Sequence, residues 1–174
     1  LKEIFMRHLF FFFLIIFMFG CAASPDDIPM PNSEIKPITY DYQIPGVNKK
    51  ILFARARDYM ATAYGDSRSV IRVQDENEAV IIGKGAVTWR MLPNNSLSGS
   101  CSTEYNIRFI AKDEKARLQV ELIYGAPVYS SCINWKAPSP AAYRYDVLPS
   151  FDQLSKDLGS ALKGLGAGNS FKDF

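Results

Sequence analysis

Histidine is almost absent from this chain of 174 residues: the only one is His8. Everything after it works without an imidazole. That excludes Ser–His and Cys–His nucleophilic pairs, a histidine general base and the commonest zinc ligand. Cysteine is scarce, with Cys21, Cys101 and Cys132 the full set. Neither sign of charge dominates: 20 Lys and Arg stand against 18 Asp and Glu, a formal net of +2. Nucleic acid calls for a basic surplus on one face, and none is available here. Long apolar runs are missing too. The longest, Leu9 to Phe19, has 11 residues, too few for a helix to cross a bilayer core about 30 Å thick.

That run is nevertheless informative. Arg7 and His8 precede it and Gly20-Cys21 end it. A basic start, a short apolar stretch and a small residue before the cut are the parts of a secretory signal. With Leu1 as first residue, translation is expected from a non-ATG codon or from Met6. Met18-Phe19-Gly20-Cys21 resembles the lipobox of bacterial lipoproteins. There the signal is cut before the cysteine, whose thiol is then lipidated. The resemblance implies that residues 1–20 are removed and that Cys21 carries lipid. Stable anchoring takes two or more chains, each buried CH₂ contributing about 0.8 kcal/mol. Ala22, and not Asp, follows the cysteine; by resemblance to Gram-negative lipoproteins this implies the outer membrane.

Removal of 1–20 takes Lys2, Glu3 and Arg7 and lowers the net charge from +2 by one. With Cys21 given to lipid, Cys101 and Cys132 form an even pair in an oxidising setting. They read as one disulfide, with a reactive thiol or a metal site as alternatives. Residues 21–37 read as a tether, interrupted by Pro25, Pro29, Pro31 and Pro37, because proline lacks an N–H and resists regular structure. Ser33 and Lys36 fit an S-x-x-K spacing that a linker produces by chance.

Residues 38–165 read as a single α+β domain, and 166–174 as a flexible tail. Ile38 to Ile44 alternates as a first strand, with Ile38, Tyr40 and Tyr42 on one face. Asn48 is a candidate N-cap for a helix over 49–64, with Leu52, Ala56, Tyr59 and Ala63 as its buried stripe and Arg55 outside it. Val70 to Asp75 and Ala79 to Trp89 pair as a hairpin, with Val73 opposite Ile81 and Ile71 opposite Gly83. Arg72, Ile82, Lys84 and Arg90 then share the face away from the core. Gly83 and Gly85 in one strand predict a bulge or a close approach by a helix; Gly83-Lys84-Gly85 lacks the spacing of a phosphate loop. Thr103 to Ala111 and Arg117 to Tyr124 form a second hairpin, in which Arg108 and Glu121 are placed to pair. Residues 133–145 read as a loop holding Trp135, Tyr143 and Tyr145, whose rings cover a core edge or anchor a partner. Ser150 and Gln153 fit a capping box opening a last helix with Leu154, Leu158, Ala161, Leu162 and Leu165 on its apolar side.

The order β-α-β-β-β-β-α predicts a two-layer sandwich, an antiparallel sheet with both helices on one face. Ile44-Pro45-Gly46-Val47-Asn48-Lys49, the helix after it, and Ile81-Ile82-Gly83-Lys84-Gly85 resemble a bacterial domain of unknown function with a TBP-like fold. The resemblance covers roughly residues 40–125. It implies a curved antiparallel sheet in exported proteins and lipoproteins, and it carries no activity. A shape does not license DNA binding.

The function expected is that of a non-catalytic envelope lipoprotein. Its partners would be the membrane, through Cys21, and an envelope protein or glycan, through Arg72, Ile82, Lys84, Arg90, Trp135 and Tyr143. No cofactor, metal or nucleic acid is expected. One alternative is a small-ligand carrier, with a void lined by Trp89, Tyr105, Phe109 and Leu122. The other is a histidine-free enzyme. It would have to use carboxylates, Lys, Tyr or Ser, and the carboxylates Asp75, Glu76 and Glu78, and likewise Asp113 and Glu114, cluster at hairpin tips where little shifts a pKa.

Overall fold

Alternation of apolar and polar side chains builds five strands, and a strip of apolar residues on each of two helices covers them. The computed structural model describes residues 24–63, 71–93, 98–127, 132 and 134–165. The strands are β1 (Ile38–Gln43), β2 (Ile71–Asp75), β3 (Val80–Arg90), β4 (Ser100–Lys112) and β5 (Lys115–Pro127), with helix α1 (Lys49–Ala63) after β1. They form one antiparallel sheet in the order β1-β5-β4-β3-β2. The last helix, α2 (Leu148–Leu162), is entered through a turn at Pro140–Ala142 and a π-helical turn at Tyr143–Val147. This is the expected α+β architecture, a curved sheet with helices on one side.

The core lies between the layers. Ile81, Val87 and Trp89 of β3, Tyr105, Ile107 and Phe109 of β4, and Leu118, Val120 and Leu122 of β5 point into it. Leu52, Phe53, Ala56 and Met60 of α1 and Phe151, Leu158 and Leu162 of α2 meet them. Full burial of one such side chain contributes about 1.5–3 kcal/mol. The stripe on α1 runs through Phe53 and Met60 instead of Tyr59, which is half-buried, and Ala63, which is exposed. Arg55 is not outside the interface either: it is half-buried, and its Nη1 donates to the Leu162 carbonyl at 2.7 Å, tying α1 to the end of α2. A cation at a helix C-terminus meets carbonyls that have no partner within the helix. Leu165 is 76% exposed and lies beyond the stripe of α2.

Register departs from expectation in two strand pairs. Ile71 faces Gly83 as predicted, but a bulge follows and Val73 faces Ile82, not Ile81. The extra residue turns Val73 to the solvent side, where it is 51% exposed. In the β4–β5 pair, Arg108 faces Gln119 and Glu121 faces Asn106, so the expected Arg108–Glu121 pair is not formed.

The helix ends show why polar residues sit where they do. Asn48 caps α1, its Oδ1 accepting the Ile51 N–H at 3.0 Å. Asp113, at the tip of the β4–β5 hairpin, accepts the Lys49 N–H at 2.8 Å, and Glu114 accepts the Gly46 N–H at 2.9 Å. The expected capping box at Ser150 is absent. The helical run begins ten residues earlier, where Ser139 Oγ accepts the Ala142 N–H and Pro140 opens the first turn. Ser150 lies within α2, its hydroxyl donating to the Asp146 carbonyl at 2.7 Å. The stretch expected to be a loop over 133–145 is therefore helical from Pro140 onward.

Residues 24–37, expected to act as a free tether, are seated on the domain. Met30 and Ile35 are buried, the Met30 N–H donates to the Pro138 carbonyl at 3.0 Å, and Arg144 bonds Asp26 at 2.8 Å. Two apolar side chains in a proline-rich segment suffice to dock it. Cys101 and Cys132 form the disulfide, with Cα atoms 5.8 Å apart across a separation of 31 residues. The signal segment 1–20, Cys21 and the tail 166–174 lie outside the described residues.

Candidate interaction surface

Each strand presents its second set of side chains to the face opposite the helices. Because opposed residues of an antiparallel pair share a face, the register places these side chains in rows. Val73, Ile82, Arg108, Gln119 and Thr39 make one row across the sheet, and Val80, Ile110, Arg117 and Asp41 the next. Lys84 stands opposite Asn106, with Ala86 opposite Glu104 beyond them. Among the described residues, no helix covers this face.

The charges on it are partly paired. Lys84 Nζ meets Glu104 Oε2 at 3.1 Å, with both side chains about two-fifths exposed; such a pair contributes about 0–1 kcal/mol. Arg117 grips Asp41 through Nε at 2.6 Å and Nη2 at 2.9 Å, and this bidentate bond holds the Asp41 carboxyl below its usual range. Between these charges Ile82 is 39% exposed beside the exposed Val73.

At the far end of β3 the chemistry changes. Arg90 curls toward the π-helical turn, where Asp146 takes its backbone N–H at 2.8 Å and its Nη2 at 2.6 Å. Burial pushes the Asp146 carboxyl up, but the side-chain and backbone hydrogen bonds from Arg90 outweigh it and leave it below the ordinary range. A shallow cleft of about 480 Å³ lies here, walled by Trp89, Arg90, Tyr145, Asp146 and Gln153. A second of about 480 Å³ opens beside the β4–β5 hairpin, against Asp41, Ile110, Lys112, Lys115 and Arg117. Of the four side chains expected around a carrier cavity, Trp89 lines the first cleft, and Tyr105, Phe109 and Leu122 line neither. Tyr105 instead packs edge-on against Phe151, with ring centroids 4.9 Å apart.

The structure separates the residues singled out in the sequence into two sets. Ile82, Lys84 and Arg90 lie on the open face, and Arg72 is exposed in the bulged edge strand. Trp135 and Tyr143 are on the other side. Trp135 packs against Trp89 at 5.8 Å, and Tyr143 is half-buried against the core, its phenol pushed up by burial. These two rings cover a core edge. The hairpin carboxylates are also engaged: Asp113 and Glu114 hold the start of α1, and Asp75 Oδ1 accepts the N–H groups of Asn77 and Glu78. Tyr145, the third aromatic of the stretch 133–145, is 59% exposed, and Asp146 and Val73 carry no site signal in the sequence. Asp146 is 56 residues from Arg90, and nothing local in the sequence joins them.

Comparison with known proteins places this geometry. No curated protein sequence matches the chain. Solved structures share its architecture, two of them as follows. One is a TBP-like protein from Parabacteroides distasonis, 15% identical, with a TM-score of 0.58 over 79% of this chain and 97% of that one. The other is a DUF4468 family protein from Bacteroides ovatus, 16% identical, with a TM-score of 0.59 over 78% of this chain and 90% of that one. At such identities the likeness speaks for the fold. The model of one family, a domain of unknown function (DUF4468) with TBP-like fold, matches residues 39–124, and the chain carries a domain of that family.

Proposed function

We propose that this chain is an envelope lipoprotein, exported and held through Cys21 in the outer membrane, whose domain is a non-catalytic interaction module. The observation that supports the module is the uncovered sheet face. There Val73 and Ile82 are 51% and 39% exposed between Lys84, Arg108 and Arg72. Apolar anchors ringed by charge are how a protein surface binds a partner. The lipobox-like Met18-Phe19-Gly20-Cys21 supports the anchor. The partner class that fits is an envelope protein or a glycan.

The test is crosslinking in intact cells followed by capture of the chain. One envelope component should be recovered repeatedly with the parent chain. It should be lost with Ile82→Asp and Val73→Asp, both at exposed positions, and reduced with Cys21→Ala. If nothing is captured, and the Cys21→Ala chain fractionates with membranes as the parent does, the reading fails.

A further inference from the structure

The docked segment 24–37 fixes where an anchor would emerge. Asp26 is held by Arg144 at 2.8 Å, and Met30 is both buried and hydrogen-bonded to Pro138. Only Ala22 and Ala23 separate Ser24 from Cys21, and an extended chain reaches at most about 3.6 Å per Cα-to-Cα step, about 11 Å over the three steps. A lipid on Cys21 would thus sit close against one pole of the domain. The Arg144–Asp26 and Arg90–Asp146 bonds place that pole at the C-terminal end of β3. The turns at 76–78 and 113–114 lie at the opposite end of the strand, about 30 Å away for an 11-residue strand rising about 3.3 Å per residue.

The same pole carries exposed side chains suited to a lipid–water boundary. Ile28, two residues from Asp26, is 52% exposed, and Tyr145 is 59% exposed. The Arg144 guanidinium lies 5.9 Å from the Tyr145 ring centroid. A tyrosine ring with a wet hydroxyl and an apolar body fits the headgroup level. An isoleucine fits just below it.

From the short reach and this patch together we infer that the domain docks pole-down on the lipid surface, with Ile28 and Tyr145 in the headgroup layer. The hairpin turns then point away from the membrane. The inference rests on the lipid anchor proposed above. Arg144 is neutralised by Asp26, so the contact is apolar and insensitive to salt.

Depth-dependent fluorescence quenching tests it. The full lipidated chain carrying Tyr145→Trp is reconstituted in phosphatidylcholine vesicles with and without brominated acyl chains. A Glu76→Trp chain serves as the distal probe, and the parent chain supplies the background of Trp89 and Trp135. Bromine should reduce the Trp emission added at position 145 about twofold, as expected for a ring about 5–10 Å into the interface, and leave that at position 76 unchanged. Added salt should not alter this. If mass analysis shows lipid on Cys21 but the two probes respond alike, pole-down docking is wrong and the anchor stands. If Cys21 carries no lipid, and the Cys21→Ala chain fractionates as the parent does, the anchor itself is wrong and the docking falls with it.

Discussion

The ring of Tyr105 lies directly against the backbone of Gly85 on the neighbouring strand, so closely that a Cβ at Gly85 would fall 2.5 Å from Tyr105 Cζ. Glycine in the middle of β3 is there for this contact, and a helix plays no part in it. The consequence is that Gly85→Ala forces a buried ring to move. Overpacking of this kind costs about 1–3 kcal/mol, to be read from the urea midpoint. In a Tyr105→Leu background the same substitution should cost less, since neighbours that share a contact are not additive. Equal cost in both backgrounds would mean that the ring is not what the methyl group meets.

The start of α1 depends on a carboxylate 64 residues away, because Asp113 Oδ1 takes the Lys49 N–H. Asn48 satisfies a second orphan donor of the same turn through the Ile51 N–H. Asp113→Ala should destabilise the domain by about 0.5–2 kcal/mol, the usual range for loss of a cap. Glu78→Ala, at an exposed position in the β2–β3 turn, should stay within about 0.5 kcal/mol. Chemical denaturation of the two variants side by side separates a capping carboxylate from a solvated one.

The order of elements and the layer architecture are readable from the sequence because they depend on alternation and helical spacing, which are local. Ile71 opposite Gly83, the cap at Asn48 and the Cys101–Cys132 bridge follow from patterns within reach of a single strand, turn or pair of cysteines. What escapes are decisions made by the assembled sheet. A bulge between Ile71 and Val73 moves Val73 onto the open face, and no residue type there announces it. Docking of 24–37 rests on Met30 and Ile35 against a run of prolines, where composition argues for a tether. The candidate surface was half legible. Ile82, Lys84 and Arg90 fall where alternation places them, but Trp135 finds Trp89, and Asp146 finds Arg90, only in three dimensions.

Two carboxylates give acid sensitivity a definite direction. Asp41 and Asp146 both titrate below the ordinary 3.8, Asp41 through its bonds to Arg117 and Asp146 through those to Arg90 against the opposing effect of burial. A depressed native pKa means that the stabilisation is complete above the unfolded value. It is lost as pH falls through the native one. Stability should therefore hold steady above about pH 5 and fall progressively below about pH 4. Asp146→Asn should lower the plateau and flatten the fall. Thermal unfolding followed from neutral to acid pH in parent and variant checks this; an unchanged acid slope in Asp146→Asn would remove Asp146 from the account.

Ser139 and Ser150 have the same hydroxyl, and both precede residues suited to a helix. Only Ser139 occupies a cap. It is fully buried, its Oγ accepts the Ala142 N–H at 3.2 Å, and its carbonyl accepts the Tyr143 N–H at 2.8 Å. The signal for it is Pro140 at the first helical position, where the missing N–H costs nothing. Ser150 follows the π-helical turn that brings Asp146 to Arg90, and its hydroxyl bonds back to a carbonyl one turn earlier, a bond that adds little to a helix. Ser139→Ala should thus cost about 0.5–2 kcal/mol and loosen the turn that presents Asp146, while Ser150→Ala should change stability by less than about 0.5 kcal/mol. Urea denaturation of both variants decides between the two starts. If Ser150→Ala were the more damaging, α2 would begin at Ser150, and the Arg90–Asp146 bond would have to be held by something other than the Ser139 cap.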